Sequence, residues 1–379
     1  MPQPPPAVVG AALCDVDTPA LLIDLDAFER NLQRMAGFVR AAGVRLRPHA
    51  KTHKSPDVAA RQVAQGAVGV CCQKVSEAEV MVAGGIADVL VTNEVAGRAK
   101  LARLAALARR ARVGVCVDDA RSVAELEEAA AAEKARIDVL VEIDVGSRRC
   151  GAPPGEPAVR LAEAVARSRH LRFAGLQAYY GSAQHMREAA ERRAAIARAV
   201  EHVKETQRAL AEVGLAAESV TGAGTGTYEN EAASGVYTEL QAGSYVFMDA
   251  DYARNKRADG GPFDTFEHAL FVYATVMSVP GPERAVVDAG LKALAVDSGM
   301  PLPRAMPGVA YHRPSDEHGI LDLGGSNRRL ARGDKVLLVP GHCDPTVNLH
   351  DWYVGVRGLD GGAARVECVW PVAARGAVF

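Results

Sequence analysis

Two short segments carry the residues best able to do chemistry. Lys51 stands in Arg47-Pro48-His49-Ala50-Lys51-Thr52-His53-Lys54, where an apolar stretch ends, and His342-Cys343-Asp344 opens a second segment that runs on to Asp351. A lysine amine can form an imine with a carbonyl compound, and a His/Asp pair can chelate a divalent ion. A protein holding both can combine an electron sink with a Lewis acid. Pro48 stiffens the approach to Lys51, while His49, His53 and Lys54 bring cationic or polar groups that would favour the neutral amine. On an extended segment, residues two apart share a side, so His342 and Asp344 would face one ion and Cys343 would point away. Alone, a strand-end lysine is ordinarily solvated and an isolated His-x-Asp ordinarily means nothing.

A third segment changes that balance. Thr221-Gly222-Ala223-Gly224-Thr225-Gly226-Thr227 alternates glycines and threonines, so backbone N–H groups and hydroxyls could converge on a phosphate. By itself such a turn is equally a flexible loop. Pyridoxal 5′-phosphate accounts for the lysine and the loop together, because it needs an imine-forming amine and a phosphate cup on one face.

The elements that must position these groups show a regular rhythm. Apolar or β-branched runs at 20–25, 45–50, 68–73, 88–93, 112–118, 137–145, 172–179 and 219–224 read as eight strands. Helix-forming stretches lie between them at 27–42, 77–83, 98–111, 120–133 and 187–213. Strands separated by helix-length connections imply a parallel sheet, and eight units suggest a closed (β/α)8 barrel over an open doubly wound sheet. After Gly243 the pattern turns to Val, Thr, Tyr and Gly, with strands expected at 270–279, 284–287, 335–339, 352–356 and 366–372. The expected organisation is an extension at 1–16, a cofactor-binding barrel at 17–250 and a mainly antiparallel β domain at 251–379 that carries the metal motif. Lys51, Tyr179 and the Gly/Thr loop all fall at strand ends, the active face of a barrel.

Composition excludes other classes. Lys+Arg at 44 against Asp+Glu at 46 leaves a net charge of −2, without basic runs interleaved with aromatics, which argues against a nucleic-acid partner. Seven cysteines without a CxxC pair read as reduced, mostly buried thiols. No apolar stretch approaches the ~20 residues of a membrane span, and the Pro-rich start lacks the charge and apolar core of a signal peptide. These features point to a cytoplasmic protein.

The Pro48–Lys54 segment, Cys71-Cys72-Gln73-Lys74-Val75-Ser76-Glu77, Thr92-Asn93-Glu94-Val95, Gly175-Leu176-Gln177-Ala178-Tyr179 and the Gly/Thr loop resemble the D-threonine aldolase and D-serine dehydratase-like family. Its members are fold-type III pyridoxal phosphate enzymes with an alanine racemase-like barrel, and the likeness runs from Asp17 to Gly376. The resemblance implies that Lys51 carries the cofactor imine, that Arg149 faces its phenolic oxygen and that Tyr179 lines its pocket. Gly224, Thr225 and Gly226, with Gly243, Ser244 and Tyr245, would bind the phosphate. His342 and Asp344 would hold the metal; the aldolase-type Asp suits manganese or magnesium better than zinc. His185 matches a histidine near that metal and is the candidate base, whereas His318 receives no role. The implied reaction is retro-aldol cleavage of a β-hydroxy-D-amino acid, of D-threonine or 3-hydroxy-D-aspartate type, to glycine and an aldehyde or glyoxylate, by a homodimer. The alternatives are a D-serine or hydroxyaspartate dehydratase, a non-catalytic cofactor-binding protein, and a metal-dependent barrel hydrolase, which would leave Lys51 and the Gly/Thr loop unexplained.

Overall fold

The computed structural model describes residues 4–379; the first three residues of the Pro-rich lead lie outside the described residues. Strand β1 (Ala20–Asp24) leads into α1 (Leu25–Ala42). The Asp24 carboxylate accepts the Asp26 and Ala27 N–H groups at the helix start, and Gly43, at φ 68°, closes its end. Leu25, Phe28, Leu32, Met35 and Val39 recur at three- and four-residue spacing along α1 and are buried.

A parallel sheet follows, of β2 (Arg45–Leu46), β3 (Val70–Cys72), β4 (Asp88–Glu94), β5 (Arg112–Val117), β6 (Ile137–Glu142), β7 (Leu171–Gln177), β8 (Ser219–Gly222) and β9 (Glu239–Leu240). Its order is β2-β9-β8-β7-β6-β5-β4-β3, and its ends meet where His49 bridges Cys71 and Cys71 N–H donates to Pro48 O at 2.9 Å. Helices α2 (Pro56–Ala64), α3 (Val75–Ala83), α4 (Arg98–Leu107), α5 (Ala120–Glu133), α6 (Glu156–Arg167), α7 (Ala189–Glu212) and α8 (Tyr228–Ala233) alternate with the strands. The result is the expected barrel, with two differences in its parts. The run at 20–25 is not a barrel strand: β1 lies in the second sheet, antiparallel to β10 (Leu270–Gly281) and parallel to a later strand. The eighth barrel strand is instead β9, two residues long and half charged, too short and too polar for a search by apolar runs.

The second sheet adds β11 (Arg284–Val287), β12 (Leu302–Pro303), β13 (Ala310–Pro314), β14 (Gly319–Asp322), β15 (Lys335–Val339), β16 (Trp352–Arg357) and β17 (Arg365–Pro371). It runs β13-β14-β11-β10-β1-β16-β17, with β15 pairing β10 and β12, and every pairing but β1–β16 is antiparallel. Strands β12 to β14 carried no clear sequence signal. Because β1 precedes the barrel in the chain but sits inside the other sheet, the chain crosses between the two units at the start as well as at Gly243. Cys71, Cys72, Cys116 and Cys343 are buried as expected, whereas Cys14 is exposed. Among the described residues, no helix is long and apolar enough to cross a membrane.

Helix α8 props the Gly/Thr loop. The Thr227 hydroxyl donates to Glu231 at 2.7 Å, while the second Glu231 oxygen is buried without a partner. Burial pushes the Glu231 carboxyl up to about 7. The folded chain therefore holds an extra proton between the ordinary carboxylate range and pH 7, so stability is lost as pH rises through that window. Glu231→Gln is expected to gain about 3 kcal/mol over the parent at pH 8 and nothing at pH 4. Denaturant melts at the two pH values check this, and an equal effect at both would contradict the assignment.

Candidate active site

Lys51 sits in a short 3-10 turn just past β2, and His49 shapes that turn. The His49 Nδ1 accepts the Lys51 N–H at 3.3 Å, so the ring proton lies on Nε2, which reaches Gln73 Oε1 at 3.2 Å and Thr92 Oγ1 at 3.0 Å. Burial, with Lys51 next, drops the His49 pKa well below its usual value and keeps the ring neutral. The rest of the segment is anchored elsewhere. Lys54 Nζ pairs with Glu77 at 2.5 Å in the protein interior, and the His53 carbonyl accepts the Tyr353 hydroxyl at 2.7 Å. The expectation that these neighbours would free the Lys51 amine is therefore corrected. Burial works to lower the Lys51 pKa, but Asp344, with smaller help from Tyr179 and Glu77, outweighs it and leaves the amine raised.

A cavity of about 170 Å³ opens over Lys51. Into it project Arg149, Tyr179, His185, Gly224, Thr225, Gly243, Ser244, His342 and Asp344, with Gln73, Gln177 and Gln241 on its walls. Nine of the sequence-selected residues thus join Lys51 in one place. Two do not line it. Tyr245 packs its ring on Phe266 and its hydroxyl takes a hydrogen bond from Gln62 at 3.3 Å; only its N–H turns to the loop, donating to Thr225 Oγ1 at 2.9 Å. The Gly226 N–H is already donated to Gln184 Oε1 at 3.1 Å. His318 is exposed at the turn before β14, its ring Nδ1 meeting the Ser315 hydroxyl at 3.4 Å, and it does not line the cavity.

The metal motif reaches the cavity by a different geometry from the expected extended strand. Residues Cys343–Val347 form a short helix, α9, with His342 as its N-cap. His342 and Asp344 still line the cavity together, while Cys343 turns inward and donates its thiol to the Met248 carbonyl at 3.3 Å. Asp249 fixes the start of α9 by accepting the Cys343 N–H at 3.1 Å. His342 Nδ1 meets Asp297 Oδ2 at 2.8 Å, which leaves Nε2 as the nitrogen for a ligand. One Asp344 oxygen lies 3.8 Å from Lys51 Nζ, and the other is buried with no partner. A carboxylate with an orphaned oxygen and an imidazole with a spare nitrogen, lining one cavity, are a donor set that fits a divalent ion.

The other groups fit pyridoxal phosphate. A Cβ at Gly243 would lie 2.7 Å from Thr52 Oγ1 and 2.9 Å from the His49 carbonyl, so the phosphate-side loop can lie against the lysine turn only as glycine. Arg149 stands 3.9 Å from Glu142 and 5.8 Å above the Tyr179 ring. Burial and then Glu94 push the Glu142 carboxyl up to about 8. Glu94, Asp118 and Cys150 cluster beside it with ligand atoms within 4.8 Å of one another. Gln184 carried no local sequence signal but supports the whole loop. Its amide spans Gly226 and Thr227, and its carbonyl accepts Asn255 at 2.9 Å.

The chain is similar to known proteins along its whole length. Residues 23–251 match the family model for the alanine racemase N-terminal domain, and 269–356 match a serine dehydratase domain model. A 3-hydroxy-D-aspartate aldolase of Paracoccus denitrificans (strain Pd 1222) is 50% identical over 98% of this chain and 95% of its own length. A D-threonine aldolase of an Arthrobacter species is 48% identical over 98% and 96%. The crystal structure of D-threonine aldolase from Filomicrobium marinum superimposes with a TM-score of 0.96 at 57% identity, covering all of both chains.

Gly243→Ala tests the contact between the two loops. The methyl group must push the Lys51 turn or the loop aside, an overpacking cost of about 1–3 kcal/mol. Cofactor titration followed by visible absorbance is expected to show at least about fivefold weaker retention, with a lowered melting temperature. Unchanged retention would mean that the two loops are not coupled.

Proposed function

Because the chain belongs to the family of D-threonine and 3-hydroxy-D-aspartate aldolases with an alanine racemase-like barrel, we propose that it cleaves the Cα–Cβ bond of a β-hydroxy-D-amino acid. The products are glycine and an aldehyde, or glyoxylate when the substrate is 3-hydroxy-D-aspartate. The observation that carries this reading is the convergence of Lys51, Arg149 and the Gly/Thr loop with His342, Asp344 and His185 on one cavity.

When bound, pyridoxal phosphate supplies the electron sink for the broken bond, and a divalent ion supplies a Lewis acid for the substrate hydroxyl. Lys51 would provide the amine that holds the cofactor, and the substrate amine would displace it. The cup for the phosphate consists of Gly224, Thr225, Gly243 and Ser244, with the Gly226 N–H committed to Gln184. Arg149 would face the ring oxygen, and Tyr179 would line the ring pocket. His342 and Asp344 would hold the ion, and the carboxylate would favour manganese or magnesium over zinc. His185 takes the β-hydroxyl proton at Nε2, because its Nδ1 is engaged by Asp251 at 2.5 Å. The homodimer implied by the sequence resemblance remains part of this reading.

Incubation with D-threonine and with 3-hydroxy-D-aspartate tests the reaction. Glycine is expected from at least one, lost on chelation with EDTA and restored by manganese. Ammonia and a keto acid in place of glycine would move the protein to the dehydratases. Asp344→Cys is expected to lower glycine formation by at least about tenfold in the presence of manganese, since a hard oxygen ligand is replaced by a soft thiolate.

A further inference from the structure

We propose that Asp251 is the positioning carboxylate of His185, fixing the tautomer that presents Nε2 to the substrate. This rests on the reading of His185 as the base. The two residues come from different elements, the 3-10 turn after β7 and the segment that leaves the barrel, and they meet at 2.5 Å through His185 Nδ1 and Asp251 Oδ2. The carboxylate is buried and cannot wander. Arg187 grips its other oxygen at 2.5 Å, and Arg254 binds the same atom. The Tyr252 ring, 5.5 Å from the imidazole centroid, closes one face of the histidine. Among the described residues nothing bonds Nε2, and His185 lines the cavity.

An ionised carboxylate can only accept, so the proton of a neutral His185 must sit on Nδ1 and the lone pair on Nε2. A base needs that lone pair at the reacting hydroxyl, and a ring free to rotate would offer it only part of the time. The two arginines therefore do more than neutralise Asp251: they stop it from following the ring. Arg254 also donates to the Ser298 carbonyl at 2.6 Å, next to the Asp297 that orients His342. One hydrogen-bonded strap thus ties the orienter of the base to the loop that orients the metal ligand.

The test is a double-mutant cycle on the holoenzyme, with bound-cofactor absorbance and metal content as checks of integrity. Asp251→Asn is expected to lower kcat by about 10²- to 10⁴-fold with KM within threefold of the parent. In a His185→Ala background the same change is expected to cost less than threefold, because the residue it serves is gone. Multiplicative losses, or a single Asp251→Asn variant with parental kcat, would overturn the proposal. If Asp251→Asn does not fold, nitrogen NMR of the ¹⁵N-histidine-labelled parent decides: protonated Nδ1 with bare Nε2 is expected, and the opposite tautomer rejects it. Parental kcat in His185→Ala alone would instead refute the base assignment, leaving the tautomer measurement to judge Asp251.

Discussion

The approach of Lys51 Nζ to Asp344 at 3.8 Å is the constraint that the rest of the structure serves. The two residues are nearly three hundred positions apart, one in the 3-10 turn after β2 and the other in α9. Each is held by its own unit and by the other's. His49 fixes the lysine turn from within the barrel, through Gln73 and Thr92, while Tyr353 and the Ala374 N–H clamp its far end from the second domain. Asp249, just past the barrel, fixes the start of α9 in return. Strand β1 completes the arrangement. It lies between β10 and β16 in the second sheet and runs directly into α1, whose apolar face is buried, so one continuous segment ties the two domains together.

Electrostatics divides the acids around the cavity into two kinds. Asp251 and Asp297 sit against imidazole nitrogens; burial opposes the charge on Asp251, but Arg187 and Arg254 outweigh it and hold that carboxyl below its usual range. Glu142 and Asp249 are buried with weaker compensation and are pushed up, to about 8 and about 6. Asp251 can orient a histidine because it stays ionised. The second kind shapes the walls at a cost, and that cost is tolerable where a cation such as Arg149 stands close by.

Chemistry-bearing residues were legible where the local sequence is unusual. The Pro48–Lys54 segment, the Gly/Thr loop and His342-Cys343-Asp344 each stand out by composition, and strand ends were legible from periodicity. What stayed hidden depends on contacts between distant segments. Strand β1 looks like any strand that precedes a helix, and only its pairing with Tyr353 and Tyr273 reveals which sheet it joins. Strand β9 is two residues, one of them a glutamate turned into the barrel to meet Arg47 at 2.9 Å. Gln184 and Asp251 have no motif because the groups they position, the Gly/Thr loop for one and His185 for the other, lie tens of residues away. The alternation expected for His342 and Asp344 was the wrong periodicity, since Pro345 at the third position of α9 suits a first helical turn as readily as a strand edge.

The orphaned oxygen of Asp344 explains why that helical turn is placed where it is. A buried carboxylate oxygen without a partner costs on the order of 1–3 kcal/mol or more, and a native fold keeps such a group only where something offsets it. Lys51 is too distant for a hydrogen bond to the other oxygen, so it relieves charge without satisfying geometry. The Cys343 N–H is committed to Asp249 and the Thr346 hydroxyl to the His342 carbonyl at 2.7 Å, so neither is spare for Asp344. The protein's own donors are thus spent on holding the turn, and the carboxylate shares the cavity with an imidazole whose Nδ1 is already taken. A cation bound between them would satisfy the oxygen and weaken the hold of Asp344 on the lysine ammonium, which is the direction an imine-forming amine requires.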